Sequence, residues 1–234
     1  MITNKNQLKV APDTESGISI MELINGYECV DLGLSVKWAT CNMGAVSLSD
    51  IGAFFAWGET EPKNEFTWEN YKFRLSGLKY EDVSFNKYNT MKVQESGGWV
   101  QKAEFWQSRM ESFIADRGVV DNKTRLDMCD DVAHSQWGAT WRMPTKEELD
   151  ELVTKCTWKF KVIEERDGYV VTSRINGNNI FIPEGEYWSS SLREDMPAEA
   201  FGIFAQYIHM WEQDEICWIS NNRCNGLLIR PVSE

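Results

Sequence analysis

Histidine is scarce, with two in 234 residues, and the six cysteines include no C-x-x-C pair. Zinc sites draw on those residue types at short spacings, so no metal site is expected. Cys29, Cys41, Cys129, Cys156, Cys217 and Cys224 read instead as reduced core thiols. Long apolar runs are also missing. Nothing approaches the roughly 20 apolar residues of a membrane span, which argues against insertion into a bilayer. The polar start MITNKNQLKVAPDTESG lacks the apolar stretch of a secretion leader. Three expectations stay open there: retention inside the cell, a trimmed leader, or export without one. Positive charge is in deficit, since 24 Lys and Arg against 36 Asp and Glu leave a net charge of −12. Such a surface repels phosphate backbones and anionic lipid, so nucleic acid and membrane surfaces are not expected as partners. No internal repeat and no Pro/Ser-rich linker interrupts the chain, and one domain is expected.

What is present is aromatic. Hydrophobic residues make up 42% of the chain and eleven residues are tryptophan, a globular composition. Each indole carries an N–H that needs a partner, so such rings divide between core and binding surface. Residues 1–26 read as a polar arm. From Tyr27 the runs YECVDLG, SVKWATC and AFFAWGE read as strands punctuated by glycine. Thr60 to Gly98 has no steady period and reads as a loop or insertion. Trp99, Ala103, Trp106, Met110 and Phe113 predict a helix over Trp99–Asp116, and Leu126, Cys129, Ala133 and Trp137 predict a second over Leu126–Trp137. Thr145 with Glu148 forms a capping-box pattern ahead of Leu149, Leu152, Val153 and Cys156 at helical spacing. Beyond it, WKFKV, YVVTSR and NIFIP read as strands, with turns at Asp167-Gly168 and Asn176-Gly177. EYWSSS, AFGIFAQYI, EICWIS and GLLIRPV follow as short strands. Strands, then helices, then strands predict an α+β fold with a largely antiparallel sheet.

The segments VDLGLSVKWATCNMGA, GAFFAWGETEP, WRMPTKEELDEL, EYWSSS and NRCNGLLIRPV closely resemble the major paralogous domain of Bacteroidetes and Fibrobacter. The resemblance runs from about Tyr27 to Val232. That domain is similar to the formylglycine-generating branch of the C-type-lectin-like fold, whose helix start matches Arg142-Met143-Pro144-Thr145 and whose closing strand loosely matches Leu228 to Val232. The resemblance implies a C-type-lectin-like domain over 27–234 with short, mainly antiparallel strands and two or three helices. It implies that the N- and C-terminal strands pair (Tyr27–Asp31 with Gly226–Val232), and that loops before the final strands form the ligand face. It implies a cell-surface or extracellular location, with a cytoplasmic or phage-associated one as the alternative. Residues 72–117 form an insertion longer and more aromatic than the family pattern.

Catalytic chemistry finds little support. The formylglycine-generating enzymes hold copper with two cysteines near the C-terminus. Cys217 and Cys224 are the candidates here, and their seven-residue separation is not that spacing. Ser189-Ser190-Ser191 has no G-x-S-x-G elbow, and only His134 and His209 are available as bases. Asp130-Asp131 and Glu147-Glu148 sit where a helix dipole favours them. Glu194-Asp195-Met196-Pro197 lacks the amide of a calcium lectin loop. No catalytic residue, metal or cofactor is therefore expected. The segment Leu192 to Asn225 mixes framework residues with Tyr, Trp, His, Asn and charges, the chemistry of a paratope, and it resembles the hypervariable region of retroelement-diversified proteins. The expected function is non-catalytic recognition of a glycan or protein ligand by Arg193, Tyr207, His209, Trp211, Asp214, Trp218 and Asn222. Tyr207, Trp211 and Trp218 would anchor, Arg193 and Asp214 would select charge, and Asn222 would hydrogen-bond; Trp218 suits a core place equally. The alternatives are a structural or assembly module of a cell-surface or phage tail structure, with the insertion as its contact, and a formylglycine-generating-type oxidase. The oligomeric state is left open.

Overall fold

Turn chemistry decides most of the strand pairing. The structure, a computed structural model, describes residues 21–77, 83–88, 121–193, 204–211 and 215–234. Strand β1 (Met21–Ile24) pairs with β2 (Tyr27–Val30) around Asn25-Gly26, both at positive φ (49° and 88°). That conformation matches the twist of a two-residue hairpin and suits Asn-Gly. The last residues of the expected polar arm are thus an edge strand, carried by a cue that the polar composition obscures.

Gly33 (φ 68°) then turns the chain, its N–H donated to the Asp31 carboxylate at 2.6 Å. Strand β3 (Lys37–Ala39) therefore takes the free edge of β2. Strands β4 (Phe55–Ala56), β5 (Arg74–Ser76) and β6 (Ser84–Phe85) are short, and β5 pairs with β6. The chain's last strands are β13 (Gly226–Leu227) and β14 (Val232–Ser233). The order of the first sheet is β1-β2-β3-β14, while β13 pairs with β4. This corrects the implied pairing of Tyr27–Asp31 with Gly226–Val232: the tight Gly33 turn inserts β3 between them. The C-terminal strand instead runs beside the WATCNM segment, with Ala39 N–H donating to Pro231 O and Met43 N–H to Ile229 O, both at 2.9 Å.

The predicted helix Leu126–Trp137 is broken at Asp131. A 3₁₀ turn covers Met128–Asp130, Asp131 is extended (φ −93°, ψ 115°), and α1 (Val132–Trp137) begins after it. The Asp131 carboxylate accepts from the N–H groups of Ala133 and His134, so a cap stands where periodicity suggests continuity. Helix α2 (Lys146–Lys155) carries the full capping box of Thr145 and Glu148, and Arg142 grips the same Glu148 with two bonds of 2.8 and 2.6 Å.

Strands β7 (Cys156–Ile163), β8 (Arg166–Ser173) and β9 (Asn179–Pro183) form an antiparallel meander. The first turn lies at Glu164-Glu165, both left-handed (49° and 63°), and not at Asp167-Gly168. Gly168 sits inside β8 because a Cβ there would come within 2.5 Å of Ile182 O and the Phe181 ring. The Asn176-Gly177 turn joins β8 to β9 as the sequence predicts. Strands β10 (Gly185–Leu192), β11 (Phe204–Trp211) and β12 (Glu215–Asn222) form a third antiparallel sheet. The described chain is thus mainly antiparallel strand with two short α-helices.

Two apolar clusters fill it. One gathers Trp57, Tyr71, Phe73, Phe85, Tyr88, Trp141, Trp188 and Tyr207; the other gathers Val30, Trp38, Leu149, Leu152, Tyr169 and Ile208. Much of the first comes from the aperiodic stretch taken as a loop. Tyr71 meets Phe73, and Phe73 meets Tyr88, edge to face at 5.7 and 5.2 Å. The predicted helix Trp99–Asp116 lies outside the described residues.

Arg230 is fully buried. Its Nε donates to Asn42 Oδ1 (2.8 Å), Nη1 to Ala39 O (3.0 Å) and Nη2 to Phe181 O (3.1 Å). Arg230→Met keeps the volume but leaves three buried acceptors unpaired, each costing ~1–3 kcal/mol. Urea unfolding of this variant is expected to show a loss of about 3 kcal/mol or more, against less than about 0.5 kcal/mol for exposed Lys159→Ala. A second expectation concerns pH. Burial pushes the thiols of Cys29 and Cys156 up to about 11 and that of Cys224 to about 12, from a usual 9.0. Above pH 9 the unfolded chain therefore binds fewer protons than the folded one, so stability present below pH 9 is lost as pH rises towards 12. The urea midpoint should fall over that window, and fall less steeply in Cys224→Ala.

Candidate functional site

Eight consecutive pairs lock β11 to β12, from Phe204↔Asn222 to Trp211↔Glu215. Side chains in such a ladder alternate between the two faces. Ile208, Met210, Ile216 and Trp218 point into the second cluster, on the side where α2 packs, while Ala205 and Tyr207 point into the first. Alternation therefore divides the predicted site residues between two opposite faces.

The α2 side gathers polar groups from three parts of the chain. Ser191, near the end of β10, is buried, and its Oγ accepts the Lys146 N–H at 3.2 Å. Arg125 flanks Ser191 through an antiparallel bridge, closed by Leu126 N–H to Ser190 O (3.1 Å) and Leu192 N–H to Thr124 O (2.8 Å). Arg193, two residues beyond Ser191, donates from Nη1 to Ser220 Oγ at 2.7 Å, and Ser220 opposes Gln206. Lys146, at the first turn of α2, places its ammonium 4.9 Å from the centroid of the half-buried Trp218 ring. Asn222 closes β12, and its Oδ1 is buried with no hydrogen-bond partner among the described residues. Of the seven predicted residues, Arg193, Trp218 and Asn222 come together here. Arg125 and Lys146 were not predicted: they belong to segments some 45 to 70 residues upstream of Arg193 by number, and only the tertiary fold brings them alongside.

The other face is built differently. Tyr207 is 5% exposed, with its ring in the first cluster at 5.9 Å from Trp188, so it is a core residue and not a surface anchor. Its hydroxyl donates to Glu186 Oε1 at 3.1 Å, and its pKa is raised by burial and then by that carboxylate. His209 Nδ1 lies 3.0 Å from the same oxygen. Glu186, on β10, was not predicted; strand alternation alone does not reveal it, because the register of β10 on β11 sets it opposite His209. Cys217 pairs with His209 across the ladder and is exposed, and Ile219 beside it is 41% exposed. Trp211 ends β11 opposite Glu215; its side chain, Asp214 and the segment Glu194–Pro197 lie outside the described residues.

Two of the serines weighed for catalysis are engaged in the fold. Ser189 Oγ donates to Gln206 O at 2.8 Å and Ser191 Oγ caps the start of α2, so both hydroxyls serve the fold. Cys217 is exposed while Cys224 is buried, and burial opposes the thiolate a copper site requires. Asp127, Cys129 and Asp130 lie close enough together to hold a cation, but lysines already neutralise the carboxylates. Lys72 reaches Asp130 at 2.7 Å, and Lys87 and Lys123 reach Asp127 at 2.7 and 2.6 Å. Burial pushes the Asp130 carboxyl up, yet bonds from Lys72, Lys87 and Tyr88 hold it below its usual range.

No family model, no characterised protein and no solved structure matches the chain.

Thiol chemistry checks the assignment of the two faces. Among the cysteines, Cys129 and Cys217 are exposed and Cys29, Cys156 and Cys224 are buried. A disulfide reagent at pH 8 is expected to modify Cys129 and Cys217 quickly in the native protein, and the three buried thiols only with unfolding. Peptide mapping that finds Cys217 as protected as Cys224 would remove this placement of β12.

Proposed function

We propose that the chain is a non-catalytic recognition domain of the C-type-lectin-like kind, which holds a glycan or protein ligand against the α2 side of the β10–β12 sheet. One observation carries the reading: Arg193 donates to Ser220 at the end of the β10–β12 sheet, two residues along β12 from the half-buried Trp218 ring that the Lys146 ammonium covers. The ladder holds these side chains without loop ordering, which lowers the entropic cost of binding. A half-buried Trp and a guanidinium are the residue types that dominate binding energy at such surfaces. The alternation of fixed core residues with exchangeable polar ones is also what a diversified scaffold needs. We place the domain at the cell surface, following the resemblance in its sequence.

The test is an array of glycans and surface proteins probed with the purified chain, Arg193→Ala, Asn222→Ala and a Lys159→Ala control. A specific hit is expected, weakened at least about ten-fold by Arg193→Ala, equivalent to ~1.4 kcal/mol. Thermal unfolding should be unchanged in that variant. A hit that survives both site substitutions at full strength would place recognition elsewhere.

A further inference from the structure

We infer that the α2-side face selects a carboxylate-bearing saccharide, an inference that rests on the recognition reading above and names its ligand class. The chain has a net charge of −12, yet three cations from separate segments surround Ser191 on this face. Arg125 is bridged to Ser191 through the backbone, Lys146 donates its N–H to Ser191 Oγ, and Arg193 follows two residues later. An acidic protein that concentrates positive charge in one place creates a local field opposite to its mean field, and that field orients and retains anions.

The carboxylates that meet Arg125 and Lys146 are weakly placed competitors. Arg125 donates from Nη2 to Glu147 at 2.7 Å, with both side chains more than half exposed. Lys146 meets Asp150 at 2.6 Å as a half-exposed i,i+4 pair. Solvent-screened pairs of these kinds contribute little, so an incoming carboxylate replaces either of them at little cost. Arg125 uses one of a guanidinium's five donors on Glu147, and the planar fork of the rest suits a carboxylate. The amino terminus of α2 lies beside the cations and adds its positive dipole end to theirs.

Charge alone does not indicate a sugar; the neighbours do. Gln206, Ser220 and Asn222 offer amide and hydroxyl groups in adjacent positions of the ladder, the polar chemistry that ring hydroxyls need. Gln206 pairs with Ser220 across the ladder, so an amide and a hydroxyl lie side by side beside the Arg193 guanidinium, and both can donate to and accept from ring hydroxyls. Trp218, with Lys146 against its ring, sets an apolar surface beside the charge. A cationic group, an acceptor and an aromatic edge together fit a ring that bears hydroxyls and one carboxylate.

The experiment uses the full chain and a panel of acidic oligosaccharides, oligogalacturonate among them. Each is presented beside its carboxyl-reduced form, with sulfated oligosaccharides and surface proteins as further arms. Arg125→Gln/Lys146→Gln is the test variant, since both side chains lie at the surface. Lys159→Gln/Lys161→Gln on β7 changes the net charge equally at a distance. The expected result is binding confined to carboxylate forms, weakened at least about ten-fold by carboxyl reduction and by the first variant but not by the second, and falling as salt rises. Equal binding of carboxyl-reduced forms, or of sulfated sugars lacking a carboxylate, would overturn the ligand class while leaving recognition by this face in place. Hits limited to proteins would overturn it in the same way. The absence of any hit across all arms would overturn the recognition reading and this inference together.

Discussion

The structure hangs on a short seam near its C-terminus, fixed by the buried guanidinium of Arg230. Among the described residues no carboxylate offsets that charge; its hydrogen bonds run to the carbonyls of Ala39 and Phe181 and to the amide oxygen of Asn42. A desolvated cation held by neutral acceptors is tolerable only when each acceptor is in place. Asn42 in turn donates to the Tyr187 hydroxyl at 3.1 Å, and that hydroxyl donates to Pro183 O at 2.7 Å. One side chain thus requires β3, the end of β9, the start of β10 and the C-terminal segment to be assembled at once. The backbone repeats the requirement. Leu228 exchanges bonds with Glu186 and Trp188 on one side, while Ile229 and Pro231 accept from Met43 and Ala39 on the other. The seam therefore anchors β10, the first strand of the sheet that carries the candidate face.

Arg223 solves the same problem by different means. It too is fully buried, but among the described residues only Nη1 has acceptors, the carbonyls of Lys87 and Tyr88, while Nε and Nη2 have none. Its guanidinium carbon lies 3.7 Å from the centroid of Phe85 and within 6 Å of Trp57 and Tyr71. Aromatic faces carry a negative quadrupole, so the rings replace some of the missing acceptors. Arg223 directly follows β12, and its carbonyl accepts from Trp57 N–H at 2.9 Å. The aromatic stretch around residues 68–88 is therefore the support against which the last strand of the candidate face is set.

That support explains where sequence patterns fail. The capping box at Thr145 and the Asn176-Gly177 hairpin were legible because local chemistry decides them within a few residues. The Trp68–Tyr88 aromatics were not, since edge-to-face packing imposes no helical or strand period and an aperiodic buried segment looks like a loop. The turn at Glu164-Glu165 escaped because carboxylic residues seldom signal a left-handed pair, and Asp167-Gly168 offered a more familiar cue. The Asn25-Gly26 cue lies inside a stretch whose polar composition masks it. Arg193, Trp218 and Asn222 were identifiable from residue type alone, but Arg125 and Lys146 required the tertiary fold. The division of the site by alternation was within reach, because Tyr207, His209 and Trp218 sit in strands whose period is two.

Alternation also limits what the C-terminal sheet can do. Tyr207 and Trp218 belong to opposite faces of one ladder and pack into different clusters, so one ligand cannot lie on both. The proposed recognition surface on the α2 side would draw on Gln206, Ser220 and Asn222, whose odd-numbered neighbours Ala205, Tyr207, Ile219 and Asn221 alternate to the other face. Exchange at these polar positions leaves the eight-pair backbone register intact, because register is set by main-chain bonds and by the core residues between them. Exchange at Tyr207 or Ile208 would instead open a cavity in one of the two clusters. The fold therefore separates positions free to vary from positions bound to the core at single-residue intervals. That separation, more than any individual contact, is the feature of this sheet on which the proposed recognition role rests.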